Sequence, residues 1–321
     1  MAVYTQLSDE ELARFVAGHG LGDLRSVKGI AEGVENTNYL IETERGRYIL
    51  TIYEKRVAPE NLPFYLGLME HLSSKGIACP LPVRDTNGQQ VAQLAGRAAA
   101  IVTFLDGVSL RQPSQRHCDL VGEGLARLHL AGLDYPRRLP NALGPDGWQP
   151  LYRGFQARAD EVRPGLGAFI EAELAALLPA WPSRLPEGVI HADLFPDNAF
   201  FLGDRLSGII DFYFACNDML AYDIAICLNA WCFDAKRAYD RDKGAALLAG
   251  YQRVRRLDAA ERAALPALAR GAALRFLLTR AHDWLNTPKD AIVEPHDPYD
   301  YVARIEQHRE MVDALDYGLE G

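Results

Sequence analysis

The chain has 321 residues, 49% hydrophobic and 24% charged, enough apolar material for one large core or two ordinary ones and too much for disorder. A formal charge of −9, with no basic cluster to offset it, argues against a nucleic-acid surface. No apolar run reaches the length of a membrane span, and the N-terminus lacks the basic head and apolar stretch of a signal peptide. Cys79, Cys118, Cys216, Cys227 and Cys232 are odd in number, dispersed and without a C-x-x-C pair, so they read as reduced, buried thiols of a cytoplasmic protein rather than a zinc site.

The first predicted element is a helix capped by Ser8, with Asp9, Glu10 and Glu11 in its first turn. Strands follow over 24–28, 36–41 and 48–53. The turn between the first two contains Gly29 and Gly33, and a turn of this kind can lay backbone N–H groups over phosphates. It is no G-x-G-x-x-G and no Walker sequence, so alone it reads equally as an ordinary hairpin. A helix is predicted over 59–74, with Leu62, Leu66, Met69 and Leu72 as a core stripe, and strands over 91–94 and 98–104 with a Gly-Arg turn between them. Strand character then stops around Asp106-Gly107. The boundary predicted there separates a small β-rich lobe, residues 1–104, from a larger helical lobe, residues 105–321.

In the second part a helix is expected over 118–130, with His129 a core histidine near its end, then a long surface loop over 134–155 and a helix over 169–178. Residues 188–212 read GVIHADLFPDNAFFLGDRLSGIIDF. Short apolar runs bounded by Gly and Asp predict buried strands and a hairpin, with Asp193, Asn198 and Asp211 on or beside strand ends. Those three residue types are what phosphoryl transfer asks of a protein: a carboxylate to orient or deprotonate a hydroxyl (Asp193), and hard oxygens for Mg²⁺ (Asn198 and Asp211). His191 reads as an orienting residue. A plain polar hairpin would leave the coincidence of type, spacing and flanking strands unexplained. Beyond it, Asp223 is placed to cap a helix over 224–231 and to hold the catalytic loop, and helices are expected over 258–285 and 298–316, with Trp231 and Trp284 in their packing.

The order H-x-D-x-x-x-x-N followed by I-I-D-F matches a kinase catalytic loop and the metal-binding Asp after it. Together with Tyr222-Asp223-Ile224-Ala225, the chain resembles the aminoglycoside phosphotransferase-like small-molecule kinases. Gly33-Val34-Glu35-Asn36-Thr37-Asn38-Tyr39, Tyr48-Ile49-Leu50-Thr51, Asp283 to Asp290 and His296-Asp297-Pro298 make it similar to their bacterial homoserine kinase branch. The resemblance implies an α+β, bilobal protein-kinase-like fold, ATP and Mg²⁺ as cofactors, and L-homoserine as the small-molecule partner, with no nucleic-acid or membrane partner. It implies Asp193 as base, with His191 beside it, Asn198 and Asp211 as metal ligands, and Gly29, Gly33, Asn36, Asn38 and Thr51 around the nucleotide. Thr51 stands where the superfamily carries a phosphate-reaching lysine. Lys28 and Lys55 are possible substitutes for that lysine, and without it Glu70 has no assured partner. Asp197, Tyr213 and residues 282–289 are candidates for the amino acid's charged groups. Two other readings stay open: a sibling kinase acting on choline or an aminoglycoside, and a nucleotide-binding module without turnover. The absent lysine favours the last and the complete Asp193, Asn198 and Asp211 set opposes it.

Overall fold

The structure is a computed structural model that describes residue 5 and residues 7–30, 36–54, 57–287 and 295–319. It divides into two compact units: Met1–Asp106 with Gly208–Tyr213, and Gly107–Ser207 with Phe214–Gly321.

In the first unit α1 (Asp9–Ala17) opens with a complete capping box between Ser8 and Glu11. The chain then builds β1 (Leu24–Gly29), β2 (Thr37–Thr43) and β3 (Gly46–Ile52), and after α2 (Leu62–Ser74) adds β4 (Pro82–Val83), β5 (Ala92–Leu94) and β6 (Arg97–Thr103). All pairings are antiparallel in the order β1-β2-β3-β6-β4, with β5 also on β6. On β2 the buried positions Thr37, Tyr39, Ile41 and Thr43 alternate with more exposed ones, the period-two signature of a sheet with one covered face. That face packs Tyr39, Ile41, Leu50, Ile52 and Ile101 against Leu12 and Val16 of α1. Ala95 (φ 50°) and Gly96 (φ 74°) make the two-residue β5–β6 turn, and Arg97 lies inside the strand rather than in the turn.

The second unit contains α3 (Gln115–Gly132), α4 (Pro145–Arg153), the short α5 (Ala159–Val162), α6 (Leu166–Ala180), β7 (Glu187–Ile190) and β8 (Ala199–Leu202). After β9 (Arg205–Ile209), the hairpin partner of β8, come β10 (Cys216–Met219), α7 (Leu220–Trp231), α8 (Arg241–Gln252), α9 (Ala259–Asn286) and α10 (Tyr299–Glu310). Every residue of α7 except Ala230 is buried, which makes it the central helix of this unit. Helices α3 and α8 cross almost in backbone contact: a Cβ at Gly122 would fall 2.0 Å from the Leu247 carbonyl oxygen, and one at Gly250 would fall 2.0 Å from that of Asp119.

Three expectations need correction. Residues 134–155 are not simply a surface loop, because Pro145 starts α4, where its missing N–H costs nothing, and Trp148 and Tyr152 are buried four residues apart. Asp223 is not the helix N-cap. Helix α7 begins three residues earlier, so Asp223 sits inside its first turn. Trp284 is 44% exposed rather than packed in a core, whereas Trp231 is buried as expected. All five cysteines are buried and free.

Candidate active site

Strand β7 pairs with β10, Ile190 opposite Cys216, and delivers His191-Ala192-Asp193 at its end. The loop backbone is held almost atom by atom. Asp223, fully buried on α7, accepts hydrogen bonds from the N–H of His191 (2.7 Å, Oδ2) and of Ala192 (2.9 Å, Oδ1). Its Oδ2 also contacts Nε2 of the buried His129 at 3.1 Å. Burial pushes the Asp223 carboxyl upward, but His129 and the N–H of His191 prevail and hold it below the ordinary carboxylate range. On the far side of His129, Nδ1 lies 2.7 Å from the Tyr251 hydroxyl, to which Arg255 donates at 3.2 Å. A hydrogen-bonded chain thus runs from Arg255 through the Tyr251 hydroxyl and the His129 ring to Asp223.

Ala192 adopts a left-handed conformation (φ 61°), and its carbonyl accepts a 2.6 Å hydrogen bond from Arg275 of α9. The Asp193 N–H donates to Nδ1 of the buried His191 at 3.2 Å. Asn198 sends its amide NH₂ back to the Asp193 carbonyl (2.8 Å) and to its carboxylate Oδ2 (3.3 Å), so its own carboxamide oxygen is the group left to accept or coordinate. The next carbonyl, Leu194, accepts from Trp231 Nε1 at 2.8 Å. Asp193 keeps 19% of its side chain exposed.

Asp211 belongs to the first unit, where it too is left-handed (φ 63°) and exposed. In that unit Tyr53 donates its hydroxyl to Tyr213 at 2.9 Å, and Thr51, 3% exposed, donates to Oδ1 of Asn38 at 2.8 Å across the β2–β3 ladder. Burial pushes the Tyr213 phenol up to about 12, the hydrogen bond from Tyr53 opposes it, and the Asp211 charge adds to it. Asn36 accepts from the Glu54 N–H at 3.4 Å, and Gly29 ends β1 opposite Tyr39. Gly33 and Lys55 lie outside the described residues, as does the 288–290 part of the C-terminal motif. Lys28 is exposed on β1, and Glu70 pairs with Arg84 at 2.9 Å.

The oxygens that Asn198 and Asp211 offer suit a hard cation such as Mg²⁺. Among the described residues no group of three or more His, Cys, Asp or Glu side chains forms a metal cage. In the second unit His296 feels partial desolvation and the Arg280 charge, which lower its pKa, against the opposing pull of Asp197, Asp300 and Asp283. Arg280 lies 3.8 Å from Asp300. Asp197 and Asp283 were candidates from the sequence; Arg280 and Arg275 were missed. Arg275 carried a signal in GAALRFLL, a lone charge inside an apolar run that must find a buried partner.

Comparison with known proteins places residues 26–257 in the phosphotransferase enzyme family model. The chain is 57% identical to the homoserine kinase of Rhizobium meliloti (strain 1021) over 319 residues, covering 99% of this chain and 98% of that protein. It is 59% identical to the homoserine kinase of Rhodopseudomonas palustris (strain ATCC BAA-98 / CGA009) over 321 residues, covering 100% and 98%. Among solved structures, a spectinomycin phosphotransferase in complex with ADP and spectinomycin aligns with a TM-score of 0.69 at 13% identity, over 98% of each chain. The amicoumacin kinase hAmiN, solved with AMP-PNP and Ca²⁺, aligns at 0.67 and 19% identity over 94% and 92%. At such identities the structural likeness shows the fold alone, an α+β fold of the protein-kinase-like phosphotransferases.

Proposed function

We propose that this chain, which belongs to the phosphotransferase enzyme family and within it to the homoserine kinases, uses ATP to phosphorylate the side-chain hydroxyl of L-homoserine. The products are ADP and O-phospho-L-homoserine, a step toward threonine. The likeness to homoserine kinases over the whole length of the chain carries this reading. The geometry of the loop around Asp193 supports it.

Asp193 accepts the proton of the homoserine hydroxyl as that oxygen bonds to the γ-phosphorus. The bond from the γ-phosphorus to the bridging oxygen of ADP breaks, and the bridging oxygen keeps the electron pair. Asn198, through its NH₂, keeps the Asp193 carboxylate turned toward the acceptor. His191 acts as a support: its buried ring accepts the Asp193 N–H and carries no proton of the reaction. Asn198 and Asp211 would hold Mg²⁺, which when bound neutralises charge on the phosphates. Gly29, Gly33, Asn36 and Asn38 are assigned to the turn that covers the nucleotide. Thr51, buried beneath Asn38, is assigned to orienting that side chain, not to contacting phosphate. The nucleotide role falls to residues 1–104 and the acceptor role to residues 105–321, within the cytoplasm and without nucleic-acid or membrane partners.

A free amino acid presents an ammonium and a carboxylate, and the group around His296 offers both complements: Asp197 and Asp283 for the first, Arg280 for the second. Tyr213 is bound into the Tyr53 and Thr51 cluster, which makes it a poorer candidate. ADP release with Mg·ATP and a panel of L-homoserine, L-serine, L-threonine, choline and kanamycin tests the reading. Saturable turnover is expected on L-homoserine with little on the rest. Turnover on choline or kanamycin and none on L-homoserine would overturn the substrate and keep the reaction class.

A further inference from the structure

Ala192 is the residue before the proposed base, and its left-handed backbone is strained for any residue with a Cβ. Such a conformation persists only where its surroundings over-determine it. Both faces of its peptide environment are accounted for: the N–H goes to Asp223 on α7 and the C=O to Arg275 on α9. Arg275 is 3% exposed and its guanidinium lies 4.0 Å above the Phe276 ring and 5.3 Å from that of Phe214. A cation buried this deeply needs an opposite charge nearby. Its Nη1 lies 4.0 Å from Oδ1 of Asp193. The same nitrogen therefore fixes the strained carbonyl and faces the carboxylate that the reaction uses.

We infer that Arg275 is a positioning residue for Asp193: it locks the Ala192 peptide in its left-handed form, sets the direction in which the Asp193 side chain leaves the loop, and supplies the countercharge for the Asp193 carboxylate. The inference rests on the reading of Asp193 as the base. It assigns a second buried anchor to the loop, independent of the α7 carboxylate. Lysine is a poor replacement, since its compact, strongly hydrated ammonium does not stack on the Phe276 and Phe214 rings as the planar guanidinium does and costs more to bury.

The test compares wild type, Arg275→Lys, Arg275→Met and Arg275→Ala as full-length protein, with circular dichroism to select variants that fold. Turnover with Mg·ATP and L-homoserine should fall roughly 100-fold in the lysine and methionine variants, the scale of a misplaced catalytic group, with KM for both substrates changed less than about threefold. Methylguanidinium should restore part of kcat to Arg275→Ala, and its neutral isostere N-methylurea should not. Hydrogen exchange on the peptide holding Asp193 and Leu194, read without substrate, should quicken about tenfold in Arg275→Met as local opening becomes easier. Near-normal kcat, or equal rescue by methylurea, would overturn the role, as would a loss confined to KM. If the wild type itself is silent on L-homoserine, the proposed reaction fails. The exchange measurement then decides the anchor alone, and unchanged exchange in Arg275→Met overturns it.

Discussion

Replacing Asp223 by Asn changes one oxygen into an NH₂ at a fully buried point, and the consequences can be worked atom by atom. The carboxylate Oδ2 faces two donors, the His191 N–H and His129 Nε2, while Oδ1 faces the Ala192 N–H. An Asn keeps its oxygen toward the pair of donors and turns its NH₂ toward the single one. Ala192 then loses its hydrogen bond and meets a second donor, and the two surviving bonds lose their charge. Charge-assisted bonds are worth about 1.5–3 kcal/mol and an unmet buried donor costs about 1–3 kcal/mol. Asp223→Asn should therefore destabilise the protein by roughly 3–5 kcal/mol. The strain at Ala192 would be released at the same time, so the loop should relax and kcat should fall by about 100-fold or more. Urea unfolding followed by circular dichroism gives the first number, and steady-state kinetics well below the unfolding midpoint gives the second. A loss under about 1 kcal/mol with kcat within threefold would refute the assignment of Asp223 as the loop's anchor.

Asp193→Ala should lower kcat by at least about 100-fold while leaving ATP binding by calorimetry close to wild type, whereas Asp211→Ala should weaken Mg·ATP binding as well. Stability should depend on pH through His308. Burial, then the Arg304 and Arg270 charges, hold its pKa down at about 3 against an ordinary 6.5. With the folded value depressed, this contribution is complete above pH 6.5 and is lost as pH falls toward 3. About 2 kcal/mol should be gone at pH 5, and His308→Gln, measured by urea unfolding at pH 7.5 and 5, should lack that share of the slope. Glu173 is buried and takes hydrogen bonds from Arg270 (2.6 and 2.8 Å) and Arg309 (2.5 and 2.9 Å). Glu173→Ala leaves both cations uncompensated and should cost about 3 kcal/mol in the same unfolding assay, against under 1 if the cluster were only a surface pairing.

The catalytic loop was legible because its chemistry is local: Asp193 and Asn198 lie five residues apart, and Gly and Asp punctuate the strands on either side. β1, β2 and β3 were legible as short runs set off by the turn containing Gly29 and by the Arg45-Gly46 turn. The elements that escaped share a different cause. β4 is only Pro82–Val83, and Pro80 and Pro82 after Gly76 read as the stop of the preceding helix. β10 carries Cys216-Asn217-Asp218-Met219, polar in the middle, and becomes a strand because β7 is there to pair with it. α8 was not assigned at all, though the side chain of Asp240 caps it by accepting the Lys243 N–H. Tyr251, Arg255 and Arg275 act on the loop from 60 to 85 residues away. Such a role is set by how helices pack, and neither periodicity nor spacing along the chain records it.

The bond from Trp231 to the Leu194 carbonyl also gives the loop an optical gauge. Indole emission responds to what its N–H meets, and here the N–H meets the residue next to Asp193. Of the four tryptophans, Trp148 and Trp181 pack edge-to-face on each other and Trp284 is half in solvent, so none of these three shares that contact. A variant with phenylalanine at those three positions would retain one natural fluorophore in direct touch with the loop. The arrival of nucleotide, metal and acceptor could then be timed in a stopped-flow cell without attaching a dye.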